Sequence, residues 1–210
     1  MAAEEEVQVI KLLMGPYDNN CYVLIHPGAG ESIIIDAPSE ADVILSAVGA
    51  TKVQRIVITH SHRDHWGALE EVKARTGAPV SYHPAEANTI PISADIPIED
   101  GALLPLGPSW VKVLHTPGHT PGSLCLLVGN NLISGDTLFP GGPGHSRTPE
   151  ALYQTVESIR EKLFPLPDDT IVYPGHGQEA ILRSCKAEYA VFASRSHDPD
   201  LCGDVLWLES

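Results

Sequence analysis

Residues 59–65 read Thr-His-Ser-His-Arg-Asp-His, which places His60, His62, Asp64 and His65 within six consecutive positions. Imidazole nitrogen and carboxylate oxygen are the ligand types of zinc and other first-row transition ions. Three more residues of the same kind stand in glycine-rich turns further on. His119 lies in Thr116-Pro-Gly-His-Thr-Pro-Gly-Ser123, Asp136 in Ser134-Gly-Asp-Thr-Leu-Phe139 and His176 in Tyr173-Pro-Gly-His-Gly177. Taken singly, each would read as a turn residue bonded to nearby backbone. With the cluster they make five imidazoles and two carboxylates. A closed structural zinc site takes four protein ligands. Seven suit two ions sharing a bridge, and a carboxylate bridges where an imidazole does not, so Asp64 or Asp136 is the bridging residue. Two ions about 3.5–4 Å apart can hold a hydroxide between them, a nucleophile near neutral pH.

These ligands must be carried by a rigid frame, and hydrophobic patterning supplies one. Val7–Met14, Cys21–His26 and Ser32–Asp36 read as strands. Ser39-Glu-Ala-Asp42 resembles a capping box with Asp in place of Glu and opens a short helix that stops near Gly49. Val53–Thr59 is a β-branched strand delivering the ligand cluster into a loop. Gly67–Thr76 reads as a helix with Gly77 at its C-terminal cap, and Pro79–Tyr82 as a short strand. Residues 84–109 read as irregular connecting structure with a turn at Glu99-Asp-Gly101. Val111–His115, Ser123–Val128 and Asn131–Ser134 are strands. Thr148-Pro149 caps and starts a helix to about Phe164. Ile171–Tyr173 is a strand and Ala180–Ser194 is helical; the last dozen residues show no clear period. Strands and helices in this order describe a layered α/β domain.

Composition narrows the function. The 210 residues hold 27 Asp and Glu against 13 Lys and Arg, a formal charge of −14. Such a surface repels phosphate backbones and anionic lipids, so neither nucleic acid nor a membrane is an expected partner. No apolar stretch is long enough to span a bilayer. The N-terminus, Met-Ala-Ala-Glu-Glu-Glu, lacks the basic and apolar regions of a signal peptide. Cytoplasm is the expected compartment. Cys21, Cys125, Cys185 and Cys202 form no C-x-x-C pair and read as free buried thiols.

In chain order, Asp18–Val23 with Asp36, Thr59–His65, Thr116–Ser123, Ser134–Phe139 and Tyr173–Gly177 resemble the motif blocks of the metallo-β-lactamase-fold hydrolases. The resemblance spans nearly the whole chain, and the H-x-H-x-D-H block is its most specific part. It implies a four-layer αβ/βα sandwich, two mixed sheets face to face with helices outside and metals at one edge. A single domain covers residues 1–210. The resemblance gives His60, His62 and His119 to one ion, Asp64, His65 and His176 to a second, and makes Asp136 the bridge. Two divalent ions are expected, zinc first, with iron and manganese as alternatives.

The bridging Asp136 and the Pro-Gly-His-Thr-Pro-Gly-Ser and Gly-Asp-Thr-Leu-Phe blocks are similar to the glyoxalase II subgroup; true β-lactamases of this fold generally lack that Asp. The likeness implies hydrolysis of a small-molecule thioester of the S-lactoylglutathione type, or a related ester, by a metal-bridging hydroxide. Asp64 is the expected catalytic residue, orienting the hydroxide and taking its proton. A thiol leaving group, with a pKa of about 8.5, needs little acid assistance. Two departures bear on the substrate. Only 34 residues follow His176, so no counterpart is expected of the helical domain that helps such enzymes bind glutathione. In place of a Cys-Gly-Arg stretch the chain has Pro140-Gly-Gly-Pro-Gly-His-Ser-Arg147. Two other activities share the blocks: a mono-iron persulfide dioxygenase, whose iron would take His60, His119 and Asp136, and a lactonase of the quorum-quenching type. A metal-binding protein with a silent site would instead predict no turnover at full metal loading.

Several residues stay outside the ligand set. Asp36 reads either as a turn cap or as a carboxylate orienting a ligand imidazole through its second nitrogen. His145 and Arg147 follow Asp136 closely and are candidate substrate contacts, Arg147 through its bidentate fork; a plain loop is the alternative for both. His26, His83, His115 and His197 read as surface or core filler, and Trp66 as packing. Leu201–Leu208, with Cys202 and Trp207, could pack on the core or on a partner, and the pattern sets no oligomeric state.

Overall fold

The computed structural model describes residues 6–210, so the first five positions of the acidic N-terminus lie outside the described residues. The first half of the chain builds a five-stranded sheet. β1 (Gln8–Met14) and β2 (Asn19–His26) form a hairpin, and β3 (Glu31–Ile35) adds antiparallel to β2. Helix α1 (Ala41–Val48) crosses to β4 (Lys52–Val57), and α2 (Leu69–Thr76) crosses to β5 (Val80–Ser81). Both crossovers make the parallel pairs β3/β4 and β4/β5, so the sheet is mixed, in the order β1-β2-β3-β4-β5.

The second half builds a six-stranded sheet from β6 (Leu103–Leu106), β7 (Ser109–His115), β8 (Leu124–Val128) and β9 (Asn131–Gly135). A small hairpin of β10 (Leu138–Phe139) and β11 (Gly142–Pro143) follows, then α3 (Pro149–Ser158), β12 (Ile171–Pro174), β13 (Ala180–Ile181) and α4 (Leu182–Ala193). The order is β13-β12-β9-β8-β7-β6, with β12 parallel to β9.

The two-residue period of the strands divides the core into three layers. Tyr22, Leu24, Ile33, Ile35 and Val57 face Val111, Val113, Leu124, Leu126 and Ile133 between the sheets. The intervening Cys21, Val23, Ile34 and Ile56 point outward under Ile44, Leu69 and Val72 of α1 and α2. On the opposite side Cys125, Leu132 and Val172 pack under Leu152 of α3, Leu182 and Cys185 of α4, and Trp207. Strands apolar on both faces must be covered on both faces. The result is the four-layer αβ/βα sandwich of the metallo-β-lactamase fold.

The structure corrects four local expectations. β6 lies inside the stretch read as irregular; Pro105 obscures it, and proline is tolerated because β6 is the edge of its sheet. The capping box at Ser39 does not form. The N-cap is Glu40, at φ 52° and without a side-chain cap, and the Ser39 hydroxyl is buried without a partner. Backbone bonds set that path instead: Ala37 N–H to His65 O at 2.8 Å and Ala68 N–H to Ala37 O at 2.9 Å. For the same reason α2 starts at Leu69 rather than Gly67, whose Cα lies too close to the Pro38 carbonyl for a side chain. Cys202 is exposed, whereas Cys21, Cys125 and Cys185 are free and buried as expected.

Other expectations hold. The Thr148 hydroxyl caps α3 by accepting from Ala151 N–H at 3.2 Å, and helical structure runs on through a π-turn at Ile159–Leu163. The last dozen residues fold onto this chain, with Val205 and Trp207 buried. Among the described residues no helix is long and apolar enough to cross a membrane.

Candidate metal centre

β3, β4, β9 and β12 all end at one edge of the sandwich, where Asn20 N–H donates to Gly175 O at 2.7 Å and Leu124 N–H to Thr59 O at 2.9 Å, joining the two sheets. The loops leaving these ends bring all seven ligand-type residues together. His60 Nε2 and His119 Nε2 lie 3.1 and 2.9 Å from His62 Nδ1. Beside this triad, His65 Nε2 lies 3.2 Å from His176 Nε2, and Asp64 Oδ2 is 3.5 Å from His176 Nε2. Asp136 stands between the triads: Oδ2 is 3.6 Å from His119 Nε2 and 3.5 Å from His176 Nε2, and Oδ1 is 3.6 Å from His65 Nε2. The backbone closes in tightly here. A Cβ on Gly175 would run into Asp136 Oδ1, so only glycine lets β12 end against that carboxylate.

The outer ring nitrogens show that the inner ones are bare. His119 Nδ1 donates to the His145 carbonyl at 2.8 Å, and His176 Nδ1 to the Tyr17 carbonyl at 2.7 Å. His65 Nδ1 meets Asp36 Oδ2 at 2.8 Å. The Thr59 hydroxyl gives its hydrogen to the same oxygen at 2.8 Å and so accepts from His60 Nδ1 at 3.1 Å. In its neutral form each of these rings aims a lone pair inward, and lone pairs facing each other at about 3 Å repel unless a cation or a proton lies among them. Asp136 Oδ1 is buried without a hydrogen-bond partner. These are the features of a site built around cations, and the nitrogen and carboxylate donors suit first-row transition ions.

Electrostatics divide the rings: burial opposes charge on His65 and His176, but Asp136 and Asp36 outweigh it and raise His65 to about 9, and Asp136 likewise raises His176, so positive charge is favoured beside that carboxylate. Burial holds His60 well below its ordinary pKa, helped by His65 nearby, and burial likewise lowers His62 and His119. Neutral imidazole is the form that binds a metal. Burial works against ionisation of Asp136, but His65 and His60 outweigh it and keep the carboxylate ionised. Burial also opposes the charge on Asp64, which the Asn19 amide at 3.0 Å and His65 hold below the usual carboxylate range.

Asp36 resolves as the orienting carboxylate rather than a simple turn cap. It sits buried at φ 59°, also accepts from Thr59 N–H at 2.8 Å, and steadies His65 directly and His60 through Thr59. A non-glycine residue in the left-handed region is strained, and such strain collects at functional sites. Three supporting groups take roles that the sequence alone does not assign: the Asn19 amide, although it lies in the Asp18–Val23 block, the Tyr17 carbonyl and Glu86. Glu86 is 1% exposed, and its Oε1 accepts from the Thr120 hydroxyl at 2.7 Å and from Gly122 N–H, both just after His119 in the loop that presents it. From the other flank Ser158 of α3 donates to the Pro117 carbonyl at 2.8 Å.

The remaining candidates sort by position. His145 supplies its carbonyl to His119, while its side chain is exposed and pairs with Asp204 at 2.9 Å. Arg147 is exposed and lines a cleft of about 710 Å³ with Ser61, His62, His119, Glu150 and Tyr153. His83 stacks on His115 at 3.9 Å and His197 on Phe192 at 3.8 Å, as filler. The Nδ1 of His26 accepts from Ala29 N–H in a turn. Trp66 packs on the first helical layer and donates to the Ser61 carbonyl at 2.8 Å.

A four-layer sandwich with two ligand triads around one buried carboxylate defines a metallohydrolase. The model of the metallo-beta-lactamase superfamily matches residues 14–176, and the chain belongs to that superfamily. It is 35% identical over 192 residues to the probable metallo-hydrolase YqgX of Bacillus subtilis (strain 168), covering 80% of this chain and 90% of that one. It is 36% identical over 165 residues to a hydroxyacylglutathione hydrolase of Maricaulis maris (strain MCS10), a match that covers 76% of this chain but 62% of the longer relative. Among solved structures, TTHA1623 in a di-iron-bound form superposes with a TM-score of 0.69 at 29% identity, covering 84% of this chain and 96% of that one.

Proposed function

We propose that the chain hydrolyses a small-molecule thioester of the S-lactoylglutathione type, or a related ester, at a two-ion centre. The observation that carries this is the arrangement itself: two triads of inward-facing donors, His60/His62/His119 and Asp64/His65/His176, each grouped within 4.8 Å, with Asp136 between them. Bound there, two divalent ions supply Lewis acidity and an acidified water. Zinc is the first expectation, and the di-iron form of TTHA1623 supports iron as the alternative.

The chain's own groups do the rest. Asp64, held by Asn19, takes the proton of the attacking water as its oxygen bonds to the carbonyl carbon. The carbon–sulfur bond then breaks, and the thiolate leaves without a dedicated acid because its pKa lies near 8.5, as a rough value. Asp36, Thr59 and the carbonyls of Tyr17 and His145 fix the imidazoles so that no reorganisation is needed during reaction. The formal charge of −14 favours a small molecule over nucleic acid as the substrate.

The second triad is as fully oriented as the first, and this favours two ions over the single iron of a persulfide dioxygenase. Metal analysis of the purified protein with a panel of thioester, lactone, β-lactam and persulfide substrates tests the reading. Two equivalents of metal and preferred thioester turnover are expected. One equivalent of iron with oxygen uptake on a persulfide, or turnover of the lactone alone, would overturn it.

A further inference from the structure

The structure brings the loop at 140–147 together with the C-terminal segment. Trp207 N–H donates to the Gly141 carbonyl at 2.7 Å, and Ser146 and Gly203 exchange bonds at 3.0 and 2.8 Å. Trp207 and Val205 are anchored in the core beneath them. Leu206 between these anchors is turned outward, 43% exposed. Together they wall a cleft of about 330 Å³ whose inner end is formed by His119, Asp136 and His176 and whose sides carry Phe139, Pro143, Val205 and Leu206, with the exposed His145–Asp204 pair also lining it. The Phe139 ring lies flat toward His176, at 28° with centroids 6.4 Å apart. Gly144 leaves no room for a side chain between the Asp136 carbonyl and His119, so the loop passes close over the inner end of the cleft.

A second cleft meets the centre at His62 and His119 and is more polar. It carries Arg147, Glu150, Gln154, Glu157 and Tyr153. An ester divides at its carbonyl into an acyl half and a leaving half, and the centre opens onto a more apolar and a more polar cleft. Resting on the hydrolase reading above, we infer that the cleft between Phe139 and Leu206 is the acyl site, that it takes a short apolar acyl group, and that the C-terminal segment sets its length. The polar thiol or alcohol half then occupies the Arg147 side. Burial of apolar surface beside the reacting carbonyl favours acyl chains over acetate, and the finite cleft sets an upper limit.

The test uses the metal-loaded full chain and N-acetylcysteamine thioesters of acetate, butyrate, hexanoate and decanoate. The expected kcat/KM rises about two- to fourfold per methylene up to a cut-off. Leu206→Ala should flatten the rise, and Leu206→Trp should move the cut-off to a shorter chain. Calorimetric binding of acetate and hexanoate reads the same cleft without turnover, and hexanoate should bind more tightly in the wild type but not in Leu206→Asp. Leu206 is half-exposed, so the variants should keep the wild-type melting temperature. Thioester turnover with a length profile untouched by all three variants would overturn the acyl site and spare the hydrolase. Absence of thioester turnover with the hexanoate preference intact would overturn the hydrolase and spare the cleft.

Discussion

Asp36 Oδ2 accepts from His65 Nδ1 at 2.8 Å, from a backbone held at φ 59°. Through Thr59 the same carboxylate reaches His60, so one strained residue outside the ligand set serves both triads. Partners of this kind fix the ring orientation and the tautomer, and their loss typically weakens metal affinity about 10–100-fold. Asp36→Ala should therefore lower affinity at both positions, read by chelator competition. Retention of two ions at wild-type affinity would show that the triads orient themselves.

Glu86 leads to a more selective expectation. Its carboxylate touches only the loop of His119, by way of Thr120 and Gly122, and that loop belongs to the first triad. Glu86→Ala leaves the buried Gly122 N–H unpaired, at a cost of about 1–3 kcal/mol, while the Thr120 hydroxyl keeps Ser123 Oγ at 2.8 Å. Dialysis against a weak chelator should strip one ion from this variant and leave the second. Glu86→Gln keeps an acceptor and should restore binding. Equal loss of both ions would make Glu86 a general fold determinant.

Much of this centre is legible in the sequence because its ligands sit in short, glycine-marked turns at strand ends. The supporting groups are not. Asn19 meets Asp64 across 45 residues and Glu86 meets Thr120 across 34, and no local period records such pairs. Asp36 is intermediate: its place at a strand end is visible, but its choice between cap and orienting carboxylate is made only when His65 folds back on it. The layers follow from the near-continuous apolar runs of β2, β3 and β8, which need cover on both faces. The α1 cap is misread because tertiary bonds to His65 and Ala68 overrule a local motif. In the C-terminal segment Val205 and Trp207 are buried while Leu206 and Leu208 are exposed, a two-residue period without a ladder to announce it.

The thiols offer a check on packing. Burial raises Cys125 and Cys185 to about 11, and raises Cys21 well above its ordinary value with Asp36 adding to it. At pH 8 all three are protonated, shielded and unreactive, since the thiolate is the nucleophile. Cys202 is the exposed one. Native protein should release one equivalent of thionitrobenzoate from Ellman's reagent promptly and four in denaturant. A second fast equivalent from the native protein would place one of the three buried thiols at the surface.

Asp95 gives a pH-dependent expectation away from the metals. Its carboxylate accepts from Lys73 Nζ at 3.0 Å and from Val80 N–H at 2.8 Å, joining α2 to the start of β5. The Lys73 bond, then the Val80 bond, hold its pKa below the usual value in the folded state. A carboxylate depressed on folding adds stability that is present above its unfolded pKa, about 3.9, and is lost as pH falls through the lower folded value. The contribution is small, because the pair is exposed and screened by salt. Melting temperatures of the wild type and Asp95→Asn, followed from pH 7 to pH 3, should differ at neutral pH and converge toward the acid end. The subtraction removes the loss of metal ligation that both proteins share. A difference that widens as pH falls would mean that Asp95 is not the acceptor tying α2 to β5.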